Sequence, residues 1–118
     1  MRDLVGGCVV ILGGGTGVPF FTTDTASATR SVELACDMMV KCTNVDAVYD
    51  KDPKQYPDAT KYEKVSYDEV LTKNLRVMDQ TSVAFARDHS LPVAVCHIDS
   101  IGQLISFDPD SFSGTLMK

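Results

Sequence analysis

The 118-residue sequence lacks three features that would place it at once in a broad class of proteins. It has no excess of basic residues: 11 Lys and Arg stand against 16 Asp and Glu, a net charge of −5. This balance argues against charge-driven binding to nucleic acid, although a local loop can still bind a small anion. No run of about 18 apolar residues is present to span a membrane, and the first residues do not form a signal peptide. We therefore expect no nucleic-acid or membrane partner.

The four cysteines do not form a C-x-x-C pair, and no histidine is placed to complete a zinc site. Cys8, Cys42 and Cys96 lie in apolar runs, whereas disulfide frameworks are typical of smaller, loop-rich secreted chains. We expect reduced cysteines in the protein core, no metal site formed by the chain, and a cytoplasmic location.

Short apolar runs alternate with helical patterns in the first part of the chain. Residues 8–12 are apolar and β-branched and end at three glycines, which predicts a buried parallel strand. A helix is predicted over residues 25–36 with Asp24 as its N-cap, and a second strand over residues 38–43. The three elements would form a strand–helix–strand unit with a right-handed crossover.

The same alternation continues to the end of the chain. Residues 44–60 are rich in Asp, Lys and Pro and predict a surface loop. Ser66 and Glu69 have the spacing of a capping box and open a short helix. The remaining predicted elements are a helix over residues 79–89, a strand over 91–98, a short helix over 99–105 and an edge strand over 114–117.

This order of elements predicts one α/β domain over residues 1–118, with a mostly parallel sheet sandwiched by helices. Ligands of such sheets bind outside the carboxyl ends of the strands. The loops over residues 13–24 and 44–57 follow the first two predicted strands, so we expect the functional residues there.

The glycine-rich segment over residues 13–17 can cradle a phosphate with backbone N–H groups, but it is neither a Walker loop nor a dinucleotide fingerprint. Two aromatic rings and two hydroxyls follow. In one interpretation Thr16, Thr22 and Thr23 bind a polar ligand while Phe20 packs against a flat one. In the other, Phe21 fills the core and at least one threonine caps the helix.

The segment Gly-Thr-Gly-Val-Pro-Phe-Phe-Thr-Thr-Asp over residues 15–24 and the segment over residues 41–53 resemble the bacterial-type uridylate (UMP) kinases of the amino acid kinase family. The resemblance continues in order to residues 114–116 and covers nearly the whole chain. Family members are about twice as long, so the chain resembles their C-terminal half. The N-terminal half, with its own glycine-rich loop and lysine, is absent.

The resemblance implies transfer of the γ-phosphoryl group of ATP to UMP with Mg²⁺. It implies a catalytic carboxylate, Asp24, that organises lysines around the transferring phosphate. It assigns ATP contacts to Thr43, Tyr49 and Asp52. It assigns UMP contacts to Thr16, Gly17, Val18, Pro19, Phe20, Phe21, Thr22 and Thr23.

The resemblance also implies a homo-oligomer, a hexamer in the family, with regulation by GTP and UTP. Three functions stay open: a kinase portion that needs a complementing N-terminal half, a non-catalytic nucleotide-binding module, and a truncated gene product. Val18 replaces a usual Asn, which removes a side-chain amide, and Ala47 replaces a usual Gly, which would strain a turn that needs positive φ.

Four polar residues have structural interpretations that compete with a site role. Asp52 before Pro53 is a common turn cap, and Tyr49 suits an exposed loop. Lys41 either points to a phosphate or extends to solvent. Asp79 is interpreted as a helix N-cap. His89 and His97 form no catalytic pair, and a phosphate nucleophile that is already ionised needs no general base.

Overall fold

The computed structural model describes residues 2–118. None of the helices in that range is long and apolar enough to cross a membrane. The helices are α1 (Arg2–Val5), α2 (Thr23–Glu33), α3 (Tyr67–Thr72), α4 (Gln80–Asp88) and a 3₁₀ helix (Ile98–Ser106). The strands are β1 (Met39–Thr43), β2 (Val48–Tyr49), β3 (Lys61–Tyr62), β4 (Lys64–Val65), β5 (Val93–His97) and β6 (Thr115–Met117).

The main sheet has the order β1–β5–β6–β4. β1 pairs with β5 and β4 with β6 in parallel, while β5 and β6 are antiparallel. The predicted class, an α/β fold with a mostly parallel sheet, is confirmed. The prediction of an edge position for β6 is wrong, because Thr115, Leu116 and Met117 are all buried between two neighbouring strands. β1 is the outer strand on its side of the described sheet.

The core lies between the sheet and the packed helices α2, α3 and α4. β5 is buried from Val93 to Cys96, which fits a strand that has neighbours on both sides. Val83 and Ala86 of α4 are 1% and 0% exposed and join Val93 and Val95 in one apolar cluster. This packing holds the N-terminal ends of α2 and α4 beside β1.

Residues 8–12 do not form the predicted buried strand. Val9 and Ile11 are 93% and 92% exposed. No described strand pairs with this segment, and an extended segment without a neighbour leaves its backbone N–H and C=O groups to water. The strand–helix–strand unit expected at this point is therefore not formed.

The N-caps of α3 and α4 are the predicted residues, whereas the N-cap of α2 is not. Ser66 accepts the N–H of Glu69, and Asp79 accepts the N–H of Ser82, as predicted. α2 begins earlier than predicted, and its N-cap is Thr22 rather than Asp24. Asp24 lies in the first turn of α2, where a carboxylate interacts favourably with the positive end of the helix dipole.

The stretch predicted as a surface loop contains β2, which pairs with β3 as a small antiparallel sheet. The buried hydroxyl of Thr115 links this sheet to β6. It accepts the N–H of Val48 at 2.8 Å and donates to the carbonyl of Tyr62 at 2.5 Å. One side chain therefore satisfies a polar group on each strand of the small sheet.

All four cysteines are free. Cys96 is buried and Cys42 half-buried, whereas Cys8 and Cys36 are exposed. The expectation of core positions is wrong for the exposed pair. Cys8 lies in the unpaired segment, and Cys36 follows the end of α2.

Candidate functional site

A lysine and a carboxylate form an ion pair where α2 begins beside β1. Lys41 Nζ lies 2.7 Å from Asp24 Oδ2, and both side chains are about one-quarter exposed, at 23% and 25%. Lys41 is a charged residue within an apolar strand, and the half-buried pair keeps its ammonium close to the protein surface. Of the two sequence interpretations of Lys41, extension into open solvent does not fit this contact.

A second polar network joins the N-terminal ends of α2 and α4. Thr22 Oγ1 donates a hydrogen bond to Asp79 Oδ2 and accepts the N–H of Thr25. The other carboxylate oxygen of Asp79 accepts the N–H of Ser82 at 2.7 Å and also its hydroxyl. Thr25 and Ser82 share a buried hydroxyl contact of 3.0 Å. The N-terminal ends of α2 and α4 are therefore joined by hydrogen bonds.

The charges of the two networks interact. Burial alone would raise the pKa of Asp79, but hydrogen bonds from Ser82 and Thr22 and the charge of Lys41 outweigh it, so the pKa lies below its ordinary value. Asp79 is therefore an anion at neutral pH. Lys41 is attracted by two carboxylates, Asp24 on α2 and Asp79 at the start of α4.

The glycine-rich segment and the residues after it form an irregular loop. Gly14, Gly15 and Gly17 have positive φ, the conformation that glycine adopts without steric cost. Phe20 also has a positive φ of 70°, which is unusual for a bulky residue, and its ring is fully exposed. Thr16 forms hydrogen bonds with the backbone of Val18 inside the loop.

This loop and α2 enclose a cavity of about 310 Å³. Three of the eight residues assigned to UMP line it, namely Thr16, Val18 and Phe21. Phe21 is 50% exposed, so the interpretation of it as a core residue is wrong. Thr22 does cap a helix, as the structural interpretation expected. Sequence reasoning did not find the other side of this cavity, which is formed by Thr25, Ala26, Thr29, Arg30 and Glu33.

A larger cavity, about 570 Å³, lies at the carboxyl end of β1 and along the loop that follows. Thr43, Tyr49 and Asp52, the three residues assigned to ATP, all line it. This volume lies within the range of small-molecule sites. Sequence reasoning gave no role to three cationic residues that also line it, although the first lies within the segment over residues 41–53 that carries the resemblance: Lys51, Lys54 and Arg76.

Hydrogen bonds hold the Tyr49 side chain in the wall of the larger cavity. The Tyr49 hydroxyl donates to both oxygens of Asp46, at 3.0 and 3.2 Å, and Lys61 Nζ lies 3.5 Å from the same carboxylate. Burial would raise the pKa of Asp46, but Tyr49 and Lys61 outweigh it and lower the pKa. Ala47 is buried and its φ is not positive, so the strain expected at this position is absent.

The ion pair of Lys41 and Asp24 connects the two cavities along the chain. Asp24 precedes Thr25, which lines the smaller cavity, and Lys41 is two residues before Thr43, which lines the larger one. Within residues 2–118 no three His, Cys, Asp or Glu side chains are grouped closely enough to hold a metal ion. The arrangement offers two small-molecule cavities, and the ion pair lies close in sequence to a lining residue of each.

Comparison with known proteins shows the family to which the chain belongs. The model of the amino acid kinase family matches residues 3–97. The chain belongs to the amino acid kinase family. Within the family it is similar to the uridylate kinase of Sulfurovum sp. (strain NBC37-1), with 49% identity over 105 residues, 89% of this chain and 45% of that protein.

Solved structures of family members have the same fold. The UMP kinase of Bacillus anthracis superposes with a TM-score of 0.93 at 37% identity, over 99% of this chain and 48% of that one. The UMP kinase of Ureaplasma parvum gives 0.89 at 33% identity, over 99% and 50%. The chain thus spans about half the length of the relatives that it matches.

Proposed function

We propose that this chain is a portion of a UMP kinase that carries sites for both nucleotides and catalyses transfer of a phosphoryl group from ATP to UMP only together with a complementing half. The observation that carries the proposal is the pair of cavities together with the ion pair of Lys41 and Asp24, whose members lie within two residues of Thr43 in the larger cavity and Thr25 in the smaller one. Phosphoryl transfer requires two phosphates to be held in line and the spreading negative charge to be neutralised, with little covalent chemistry by the protein.

The larger cavity is the proposed ATP site. Tyr49 offers a ring for the base, held by its hydrogen bonds to Asp46. Thr43 and Asp52 offer polar groups for the sugar and phosphates. The cationic residues Lys51 and Arg76 line the same cavity and suit the triphosphate.

The loop over residues 16–23 is the proposed UMP site. Thr16, Gly17, Val18 and Pro19 supply its backbone, and the exposed ring of Phe20 is free to pack against a base. Phe21 lines the cavity, Thr22 fixes the start of α2, and Thr23 lies in the first turn of that helix, where backbone N–H groups attract phosphate.

Asp24 is the proposed catalytic carboxylate. It holds Lys41 at 2.7 Å, so it acts by placing an ammonium group rather than by attacking the phosphate. Lys41 would then face the transferring phosphoryl group and neutralise its charge. The UMP phosphate is an ionised nucleophile, which makes a general base unnecessary.

Mg²⁺ fits this site only as a companion of the nucleotide. Mg²⁺ is usually held by one or two carboxylates together with substrate phosphates and waters. Asp24 and Asp79 are the nearest carboxylates to Lys41 among the described contacts. Bound Mg²⁺ would supply charge neutralisation at the phosphates, and this chain would orient the nucleotides around it.

The proposed partner is a half-domain equivalent to the part of the relatives that this chain does not span. The unpaired segment over residues 8–12, with Val9 and Ile11 almost fully exposed, supports this. A contiguous exposed apolar segment marks an interaction site in a folded protein. The four free cysteines fit a reducing compartment, so we place the assembled enzyme in the cytoplasm.

Titration calorimetry of the 118-residue chain with ATP and with UMP tests the two sites. We expect Tyr49→Ala to weaken ATP binding about fivefold or more and to leave UMP binding unchanged, since stacking on an aromatic ring contributes roughly 1–3 kcal/mol. Phe20→Ala should do the reverse. Tyr56→Ala is the matched control, since this tyrosine also lines the larger cavity but carries no assigned contact.

Failure of both nucleotides to bind the folded chain would contradict the proposal. Binding of both without turnover, even with the complementing half supplied, would favour the non-catalytic module instead. An unfolded chain in the same experiment would point to a truncated gene product.

A further inference from the structure

Two cysteines with no part in the proposed reaction lie side by side in the main sheet. Cys42 of β1 is in register with Cys96 of β5. Because neighbouring strands are about 4.8 Å apart, the Cα atoms of such a pair fall in the range of roughly 4.4–6.8 Å that a disulfide spans. The other cysteines, Cys8 and Cys36, have no place in the sheet.

The side chains of this pair project to the same face of the sheet. Residues alternate between faces along a strand, so Cys42 shares a face with Val40, and Lys41 and Thr43 share the other. In two in-register parallel strands the paired residues point the same way, so the Cys42 and Cys96 thiols are neighbours. Burial, followed by the neighbouring Cys42 thiol, raises the pKa of Cys96, which is further evidence of their proximity.

The two thiols differ in access to solvent. Cys96 is 0% exposed, whereas Cys42 is half-buried on the outer strand of the described sheet. A small oxidant therefore reaches Cys42 first, and Cys96 is kept as a protonated thiol beside it. This order of access is typical of a reactive cysteine with a resolving partner.

We propose that Cys42 and Cys96 are a redox modification site, which a peroxide converts to a disulfide between β1 and β5. Cys42 first reacts with the peroxide to give a sulfenic acid and water, or an alcohol when the oxidant is an alkyl peroxide. The Cys96 thiol then attacks this sulfur, the S–S bond forms, and the hydroxyl group leaves with a proton as water. A dithiol reductant reverses the oxidation by thiol–disulfide exchange.

The disulfide would act next to the proposed ATP site. Cys42 precedes Thr43, which lines the larger cavity, and follows Lys41, which holds Asp24. A covalent bond at this point fixes β1 against β5 at their carboxyl ends. Oxidation would thereby restrict the end of β1 that carries Lys41 and Thr43.

Intact-mass measurement tests the proposal without any activity assay. The full chain with Cys8→Ser and Cys36→Ser keeps only the pair in question. After hydrogen peroxide treatment we expect a monomer lighter by two hydrogens, with both thiols lost and recovered on reduction. Adding Cys96→Ala should instead leave a Cys42 sulfenic acid that dimedone traps, a readout that does not depend on the stability of this variant.

Three results would overturn the proposal. The first is a Cys42–dimedone adduct that accumulates equally with and without Cys96. The second is a Cys42 sulfenic acid that closes to the disulfide no faster in the folded chain than in guanidinium chloride, since the folded geometry should accelerate closure about tenfold or more. The third is a main product of disulfide-linked dimers.

Discussion

At the scale of single residues, Asp79 shows how one side chain serves two helices. It caps α4 through Ser82 and accepts the hydroxyl of Thr22, which caps α2. The sequence predicts the first role, because Asp before a helical pattern is a familiar cap. It does not predict the second, because the partner is 57 residues away. Long-range hydrogen bonds leave no periodic signal in a sequence.

The lowered pKa of Asp79 predicts an acid-sensitive fold. A carboxyl group whose pKa is lower in the folded than in the unfolded chain stabilises the fold above its unfolded pKa, about 3.9. That stabilisation is lost as the pH falls through the folded pKa. We expect urea midpoints measured from pH 6 down to pH 3 to fall less steeply for Asp79→Asn than for the unchanged chain. Asp37→Asn, at an exposed position, should retain the original slope.

Gly114 is a position where a side chain has no room. A Cβ atom added there would lie 2.0 Å from the carbonyl oxygen of Val95 on the neighbouring strand. Because backbone atoms cannot move aside cheaply, we expect Gly114→Ala to lower the free energy of unfolding by about 2 kcal/mol or more. Gly102→Ala is the control, with nothing within 4 Å of the added atom. Equal urea midpoints for the two variants would refute this account.

At the scale of secondary-structure elements, the strongly patterned parts of the sequence were predicted and the irregular parts were not. β1, β5 and α4 were expected within two residues of their observed ends, because apolar runs and caps define them. The small sheet of β2 and β3 was missed, because each strand has only two residues. Residues 8–12 have the composition of a strand, but composition alone does not supply a neighbouring strand.

The contact of Thr115 with the small sheet predicts a link between folding and ATP binding. Thr115→Val keeps the shape but removes a hydroxyl that serves Val48 and Tyr62. Leaving a buried N–H unpaired costs about 1–3 kcal/mol. Because Val48 lines the larger cavity, we expect the variant to unfold at lower urea and to bind ATP more weakly by calorimetry. Thr115→Ser keeps the hydroxyl and should retain affinity; parallel losses in both variants would argue against this link.

At the scale of the whole molecule, the exposed apolar segment over residues 8–12 predicts self-association. Val9 and Ile11 are 93% and 92% exposed and are free to contact other copies. Light scattering should show association of the 118-residue chain, reduced by the double change Val9→Ser and Ile11→Ser. Val5→Ser, at another exposed valine outside this segment, is the control. If the unchanged chain is monomeric, the exposed segment does not cause self-association and this prediction is wrong.

The central claim is that the chain carries nucleotide sites but not a complete catalytic centre, and one assay tests it directly. UMP-dependent formation of ADP is measured for the chain alone and for the chain co-expressed with the remaining part of the Sulfurovum sp. relative. We predict no turnover by the chain alone, turnover by the pair, and loss of that turnover in Asp24→Asn. Robust turnover by the 118 residues alone, or none by a correctly assembled pair, would contradict the account.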